Sequence, residues 1–232
     1  MMFEHTLIKK YVEENPYTNV DYNPDFGAKC LAIIVETRKL DRLEWVANTV
    51  KHHLNWPIRF FCSYESQNCI SDVQKSIIPR DINYSTILKD IEFWKDIEYE
   101  HVLVFQHDSF MLRSGIEEFL HYDYIGAPWY WSYGDHKDKR YKDLKDFKQG
   151  GNGGFSLRKR SAMMKIISSN PPDYEYEDMY FSNALSSDIP VETKQRFAVE
   201  SMFHPDPLGV HQIHRYLKSD EIKKILFKDG KS

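Results

Sequence analysis

The sequence predicts an α/β protein with helices packed on both faces of a largely parallel sheet. Three observations predict it. Short continuous apolar runs have strand length, segments of helical period lie between them, and polar residues gather just after the runs.

Cys30-Leu-Ala-Ile-Ile-Val-Glu36 is the first such run, apolar throughout, as in strands covered on both faces. Leu40, Leu43, Val46, Ala47, Val50 and Leu54 then recur at helical spacing, with Asp41 in the predicted first turn, where the helix dipole favours an acid. Pro57-Ile-Arg-Phe-Phe-Cys62 completes a β-α-β unit of ordinary size. A second helix is predicted over Ile87 to Ile97, followed by the strand Val102-Leu-Val-Phe105. Ser114-Gly-Ile-Glu117 has the spacing of a capping box. Asp123 to Trp129 reads as a strand broken by Pro128, and Gly153 to Arg158 as another. Lys159 to Ser168 and Glu177 to Leu185 read as helices, and Tyr216 to Phe227 as an amphipathic closing helix.

The length of 232 residues fits one domain over 1–232, with 1–28 as an N-terminal extension. Residues 132–149, dense in mixed charge, read as a mobile loop. A net charge of −4 without a long basic run argues against nucleic acid as the main partner. Three cysteines with no C-x-x-C pair argue against a disulfide framework or zinc knuckle and fit a reducing compartment. No run approaches the ~18 apolar residues of a transmembrane segment, and the start lacks a leader pattern. The expectation is a soluble, cytoplasmic protein. Aromatic residues make up 15% of the chain, which fits either a site that stacks on ring-shaped ligands or a tyrosine-rich lineage.

Parallel sheets bind ligands beyond the carboxyl ends of their strands. That rule selects Glu36-Thr-Arg38, Ser63-Tyr-Glu65 and Gln106-His-Asp108. Asp108 there can hold a divalent cation that neutralises a diphosphate, or simply open a turn. If the segment is extended, Gln106 and Asp108 share one face and His107 takes the other. Gly150-Gly-Asn-Gly-Gly154 lets a ligand approach the backbone closely, or forms a flexible turn or bulge. Glu177 and Asp178 are adjacent acids at a helix start, where acids complement the dipole; either can also take a proton from a hydroxyl. His211 can complete a metal shell begun by a distant carboxylate, or serve a structural role.

Four motifs in this order carry a resemblance: Phe105-Gln-His-Asp-Ser109, Tyr124-Ile-Gly-Ala-Pro-Trp129, Gly151-Asn-Gly-Gly-Phe-Ser-Leu-Arg158 and Glu177-Asp-x-x-Phe181. Together they resemble a family ascribed to the GT-A glycosyltransferases and first catalogued as a domain of unknown function. The likeness runs from about Leu31 to His211, and the Gly-Gly and Glu-Asp part is similar to the acceptor side of β-1,4-galactosyltransferases. The resemblance implies a GT-A-like (Rossmann-like) α/β/α sandwich. It also implies transfer of a sugar from a nucleotide-diphosphate sugar, UDP-linked by expectation, to a hydroxyl of a glycan or other acceptor.

By the same resemblance, Thr37 and Arg38 meet the nucleotide base and phosphates. Asp108 takes the place of the last carboxylate of a D-x-D motif and binds Mn2+ or Mg2+, with His211 closing the metal shell. Gln106 stands where the first carboxylate is usual; its amide suits a ribose or sugar hydroxyl better than a metal. Gly153 and Gly154 admit the donor sugar and acceptor. Asp178 acts as general base for an inverting transfer, Glu177 binds the acceptor, and the 132–149 loop closes over the donor. Two alternatives stand beside this reading. One is a catalytically weak nucleotide- or sugar-binding module of the same fold, raised by Gln106. The other is a metal-dependent hydrolase, which would call for an H-x-H or H-x-x-x-D pair at a strand end that the sequence lacks.

Overall fold

A computed structural model describes residues 2–18, 20–27, 29–130, 151–169, 176–185 and 189–227. The 132–149 loop and Gly150 lie outside the described residues.

The chain forms helix α1 (Thr6–Glu14), strand β1 (Cys30–Val35), helix α2 (Leu43–His53), and strands β2 (Ile58–Cys62) and β3 (Gln74–Ile77). Two short helices follow, α3 (Tyr84–Leu88) and α4 (Ile91–Lys95), then strands β4 (His101–Phe105), β5 (Ser109–Met111), β6 (Tyr124–Gly126) and β7 (Phe155–Lys159). The rest is α5 (Arg160–Ser169), α6 (Glu177–Ala184), α7 (Val191–Phe197), β8 (Ala198–Val199), β9 (Gly209–His211) and α8 (Ser219–Leu226).

The six-stranded sheet has the order β3-β2-β1-β4-β7-β6. Its first four strands run parallel, and only β7 is reversed, antiparallel to both β4 and β6. The expected α/β class with a mostly parallel sheet is therefore present. Alternation along β1 divides its residues between two cores. Ala32 and Ile34 pack with Val46 and Val50 of α2, whereas Leu31, Ile33 and Val35 pack with Trp94, Met163 and Phe181 of α4, α5 and α6. A third core joins Ile8 and Tyr11 of α1 to Ile222 and Ile225 of α8 over Phe110, so the N-terminal residues hold a structured helix.

Several local expectations change. The helix predicted over Ile87 to Ile97 is two helices, because Asp90 is extended and its side chain accepts the Glu92 amide, restarting the helix. The capping box at Ser114 does not form. Gly115 adopts a left-handed conformation (φ 107°) before a 3-10 turn over Ile116–Phe119, and Ser114 Oγ donates instead to the His53 carbonyl. Asp41 precedes α2, whose first-turn acid is Glu44. Strand β3 and the small sheet β5-β9-β8 were not foreseen; strands of two to four residues carry too few positions to show a period.

Candidate active site

At the end of β4 the chain does not stay extended. The Ser109 amide donates to the Gln106 carbonyl (3.1 Å), so Gln106 to Ser109 form a turn before β5. The condition under which His107 and Asp108 would face opposite ways is therefore not met: both line one cleft, 3.7 Å apart at Nε2 and Oδ2. The cleft, about 270 Å3, lies between the carboxyl ends of β1 and β4 and is also lined by Thr37, Arg38, Gln106 and Tyr84. Four of the residues expected at a nucleotide donor thus share one space. Glu36 holds the Arg38 guanidinium from two sides (2.8 and 2.6 Å) and approaches His107 Nδ1 at 3.2 Å. Thr37 Oγ1 donates to the Arg80 carbonyl. Burial holds His107 below its usual pKa against the opposing pull of Asp108 and Glu36.

Strand register brings His211 to Asp108. Ser109 of β5 pairs with His211 of β9, and the Gln212 amide donates to the Asp108 carbonyl, so the residue before β5 meets the last residue of β9. Asp108 Oδ1 lies 3.3 Å from His211 Nε2, and Gln212 Nε2 donates to Asp108 Oδ2 at 2.7 Å. Both side chains are buried. Burial opposes the charge on His211, but its contacts with Asp108 and Glu200 outweigh that and raise its pKa to about 9. For Asp108, burial is likewise outweighed, by His211 above all, and its pKa is held well below the usual carboxylate range.

A second register, Phe105 with Phe155 in β4 and β7, delivers the strap 151–154 to the same place. The Gln106 amide donates to the Gly154 carbonyl at 2.9 Å. A side chain at Gly154 would collide with His211 Nε2 and Gln106 Oε1, and one at Gly153 with Glu177 and Arg158. The close approach therefore requires glycine at both positions.

Asp178 sits at the start of α6, with Oδ2 accepting the Gly153 amide (3.3 Å) and Oδ1 the Met179 amide (2.8 Å). Burial and then the neighbouring Glu177 raise its pKa to about 7, against those two hydrogen bonds. Glu177 itself is turned inward. Its carboxylate grips Arg158 at 2.6 and 3.1 Å, with both side chains almost wholly buried. The Arg158 guanidinium also donates to the Gly153 carbonyl (3.3 Å) and lies over the rings of Tyr124 and Phe181. The structure thus places Glu177 as an anchor for α6 and the strap.

Sequence reasoning missed Glu200, Asn152 and Arg158. Asn152 Oδ1 accepts the Gly154 amide (2.6 Å), and Asn152 Nδ2 donates to Glu200 (3.0 Å). Arg158 closes the quoted glycine motif, so a buried charge inside a strand run was a usable signal. Glu200 stands alone between short elements and gave none.

The fold and site define a mixed α/β protein with a polar cleft at its strand ends; a carboxylate-histidine pair lies beside it, joined through the glycine strap to a second carboxylate of raised pKa. The chain belongs to the family described as "Protein of unknown function (DUF5672)", whose model matches residues 68–211. The matched stretch holds Gln106, Asp108, Gly153, Gly154, Glu177, Asp178 and His211, while Thr37 and Arg38 precede it. A comparison with curated proteins gives no match. No helix among the described residues is long and apolar enough to cross a membrane.

Proposed function

We propose that this protein is a GT-A-type glycosyltransferase that moves a sugar from a nucleotide-diphosphate sugar, UDP-linked in our reading, to an acceptor hydroxyl with inversion. The observation that carries the proposal is one juxtaposition. The Gly153-Gly154 strap touches Asp178 on one side and the Asp108–His211 pair beside the cleft on the other.

A divalent cation fits the pair. Asp108 Oδ1 and His211 Nε2 are both shielded from water and lack a hydrogen bond of good geometry. Their 3.3 Å separation is near the roughly 3 Å between adjacent ligands of an octahedral cation with bonds of about 2.1 Å. No group of three or more His, Cys, Asp or Glu side chains suited to a metal occurs among the described residues. Asp108 and His211 would be the protein's ligands, and the diphosphate and water would have to supply the others, as is usual for Mg2+ with phosphate substrates. When bound, Mn2+ or Mg2+ would neutralise charge on the leaving diphosphate.

The chain's own residues supply the rest. Asp178, with a pKa of about 7, takes the proton of the acceptor hydroxyl. The hydroxyl oxygen forms its bond to the anomeric carbon as the bond from that carbon to the diphosphate oxygen breaks, and both electrons of that bond leave with the diphosphate. Arg38, oriented by Glu36, offers its exposed edge to the phosphates. Gln106 faces a ribose or sugar hydroxyl from the cleft wall.

A thermal-shift panel of nucleoside diphosphates with and without Mn2+ tests the donor site. At a hundredfold excess over Kd the gain is about 2.7 kcal/mol, several degrees in a domain of this size. UDP-sugar hydrolysis by the wild type, lost in Asp178→Asn with UDP binding kept, supports the transferase; full activity in that variant rules out Asp178 as base. Gln106 favours one second reading, a nucleotide-sugar binding module with little turnover. Nucleotide binding without hydrolysis or transfer would select it.

A further inference from the structure

We propose that Glu200 is the positioning residue of the cation site. It fixes the His211 ring with Nε2 toward Asp108 and ties that ring to the glycine strap. The inference rests on the reading of Asp108 and His211 as cation ligands given above.

Local topology explains how Glu200 arrives there. Strands β8 and β9 run parallel with Val199 opposite Val210, so the next residue on each, Glu200 and His211, lie side by side. Glu200 is only 3% exposed. Burying a carboxyl group is costly unless it is paired and hydrogen-bonded, so its partners identify its role. Its Oε1 lies 3.0 Å from His211 Nδ1 and accepts from Asn152 Nδ2, also at 3.0 Å. Oε2 has no hydrogen-bond partner among the described residues. The carboxylate is therefore spent on two neighbours: the imidazole that faces Asp108, and the amide whose own oxygen holds the Gly154 amide.

A carboxylate accepting from Nδ1–H leaves the Nε2 lone pair directed at the cation position and makes it a stronger donor. A neutral side chain at 200 could still bridge to Asn152, but it would hold the imidazole with a weaker hydrogen bond. Through Asn152 the same carboxylate joins the ring to the backbone against which the donor sugar is proposed to lie. Cation binding and the strap's conformation are thus linked through one side chain.

The test is calorimetric titration of Mn2+ into the full chain, with and without UDP, for the wild type, Glu200→Gln, Glu200→Ala and His211→Ala. Titration of UDP alone and a thermal melt accompany each variant. Glu200→Gln keeps the shape of the side chain and secures the test if Glu200→Ala does not fold. We expect the Mn2+ Kd to rise about 10–100-fold in the Glu200 variants, while the Kd for UDP alone stays within about twofold. A merely structural role would disturb both or neither. An unchanged Mn2+ Kd in folded Glu200 variants, with binding lost in His211→Ala, overturns the role of Glu200 and leaves the proposed function standing. Absence of Mn2+ binding by the wild type under both conditions overturns the cation site itself, and the role of Glu200 with it.

Discussion

Asp108 Oδ1 and His211 Nε2 face each other at 3.3 Å inside the molecule, held there by the β5–β9 register. Each keeps the other charged. Without a cation, His211 carries its proton to about pH 9 in the folded chain, against 6.5 for the ordinary imidazole. A raised folded pKa contributes stability that is fully present below 6.5 and is lost as pH rises through about 9. The metal-free melting temperature should therefore fall between pH 6.5 and pH 9, and His211→Gln should flatten that slope. Because a cation must displace the Nε2 proton, Mn2+ affinity should increase with pH over the same window. Calorimetry at pH 6.5, 7.5 and 8.5 checks this; an affinity independent of pH would refute it.

Asp178 has the opposite sign. Its folded pKa of about 7 lies above the ordinary 3.8, so the folded state holds the proton more tightly than the unfolded chain. Its charge destabilises the fold increasingly as pH rises from about 4 to 7. Asp178→Asn loses one of the two backbone hydrogen bonds at every pH, but relative to the wild type it should be roughly 1–3 kcal/mol better off at pH 8 than at pH 3, while losing transfer. Urea denaturation of both proteins at the two pH values provides the measurement, and a stability difference independent of pH would contradict the assignment.

The Arg158–Glu177 pair is buried on both sides, which makes single truncations costly. Glu177→Ala or Arg158→Ala should lose about 3–5 kcal/mol, since each strands an unpaired charge. Replacing both by apolar residues of similar volume should recover much of that loss. Glu177→Gln should in addition lower the Asp178 pKa, because the Glu177 charge is one of the causes raising it. The acid limb of the pH–rate profile would then move to lower pH.

Gly154→Ala should abolish Mn2+ binding, because the added methyl would meet His211 Nε2 directly. Nucleotide binding in the metal-free state should persist more strongly than in Arg38→Ala. Paired titrations of Mn2+ and UDP distinguish the two variants, and equal losses of both ligands in Gly154→Ala would argue for general collapse of the strap.

Strands β1, β2 and β4 were legible because they are five or six residues long and mostly apolar, whereas the edge strand β3 is mostly exposed and gave no such run. Leu31 to Val35 and Val102 to Phe105 announce themselves by composition alone. The break at Asp90 was not, because Ile87, Phe93, Trp94 and Ile97 keep an apolar pattern across it and only a side-chain cap interrupts the backbone. The geometry around Asp108 was half visible. Its place at a strand end follows from the apolar run, but its meeting with His211 depends on β5, β8 and β9, elements of two or three residues. Glu200 belongs to that hidden part. Glu177 shows the reverse difficulty: an acid at a helix start looks solvent-facing until the buried guanidinium of Arg158 is found beneath it.

The position of β1 matters for how this chain can be cut and expressed. The recognised stretch opens at residue 68, after β2, yet β1 lies between β2 and β4 in the middle of the sheet. A fragment starting there would retain Asp108, His211 and Asp178. It would also leave β4 with a bare flank and β3 without a neighbour, two raw edges ready to pair with other chains. The matched stretch of this chain should therefore not fold as an autonomous unit. Truncations, chimaeras and domain swaps should place their upstream junction ahead of Cys30.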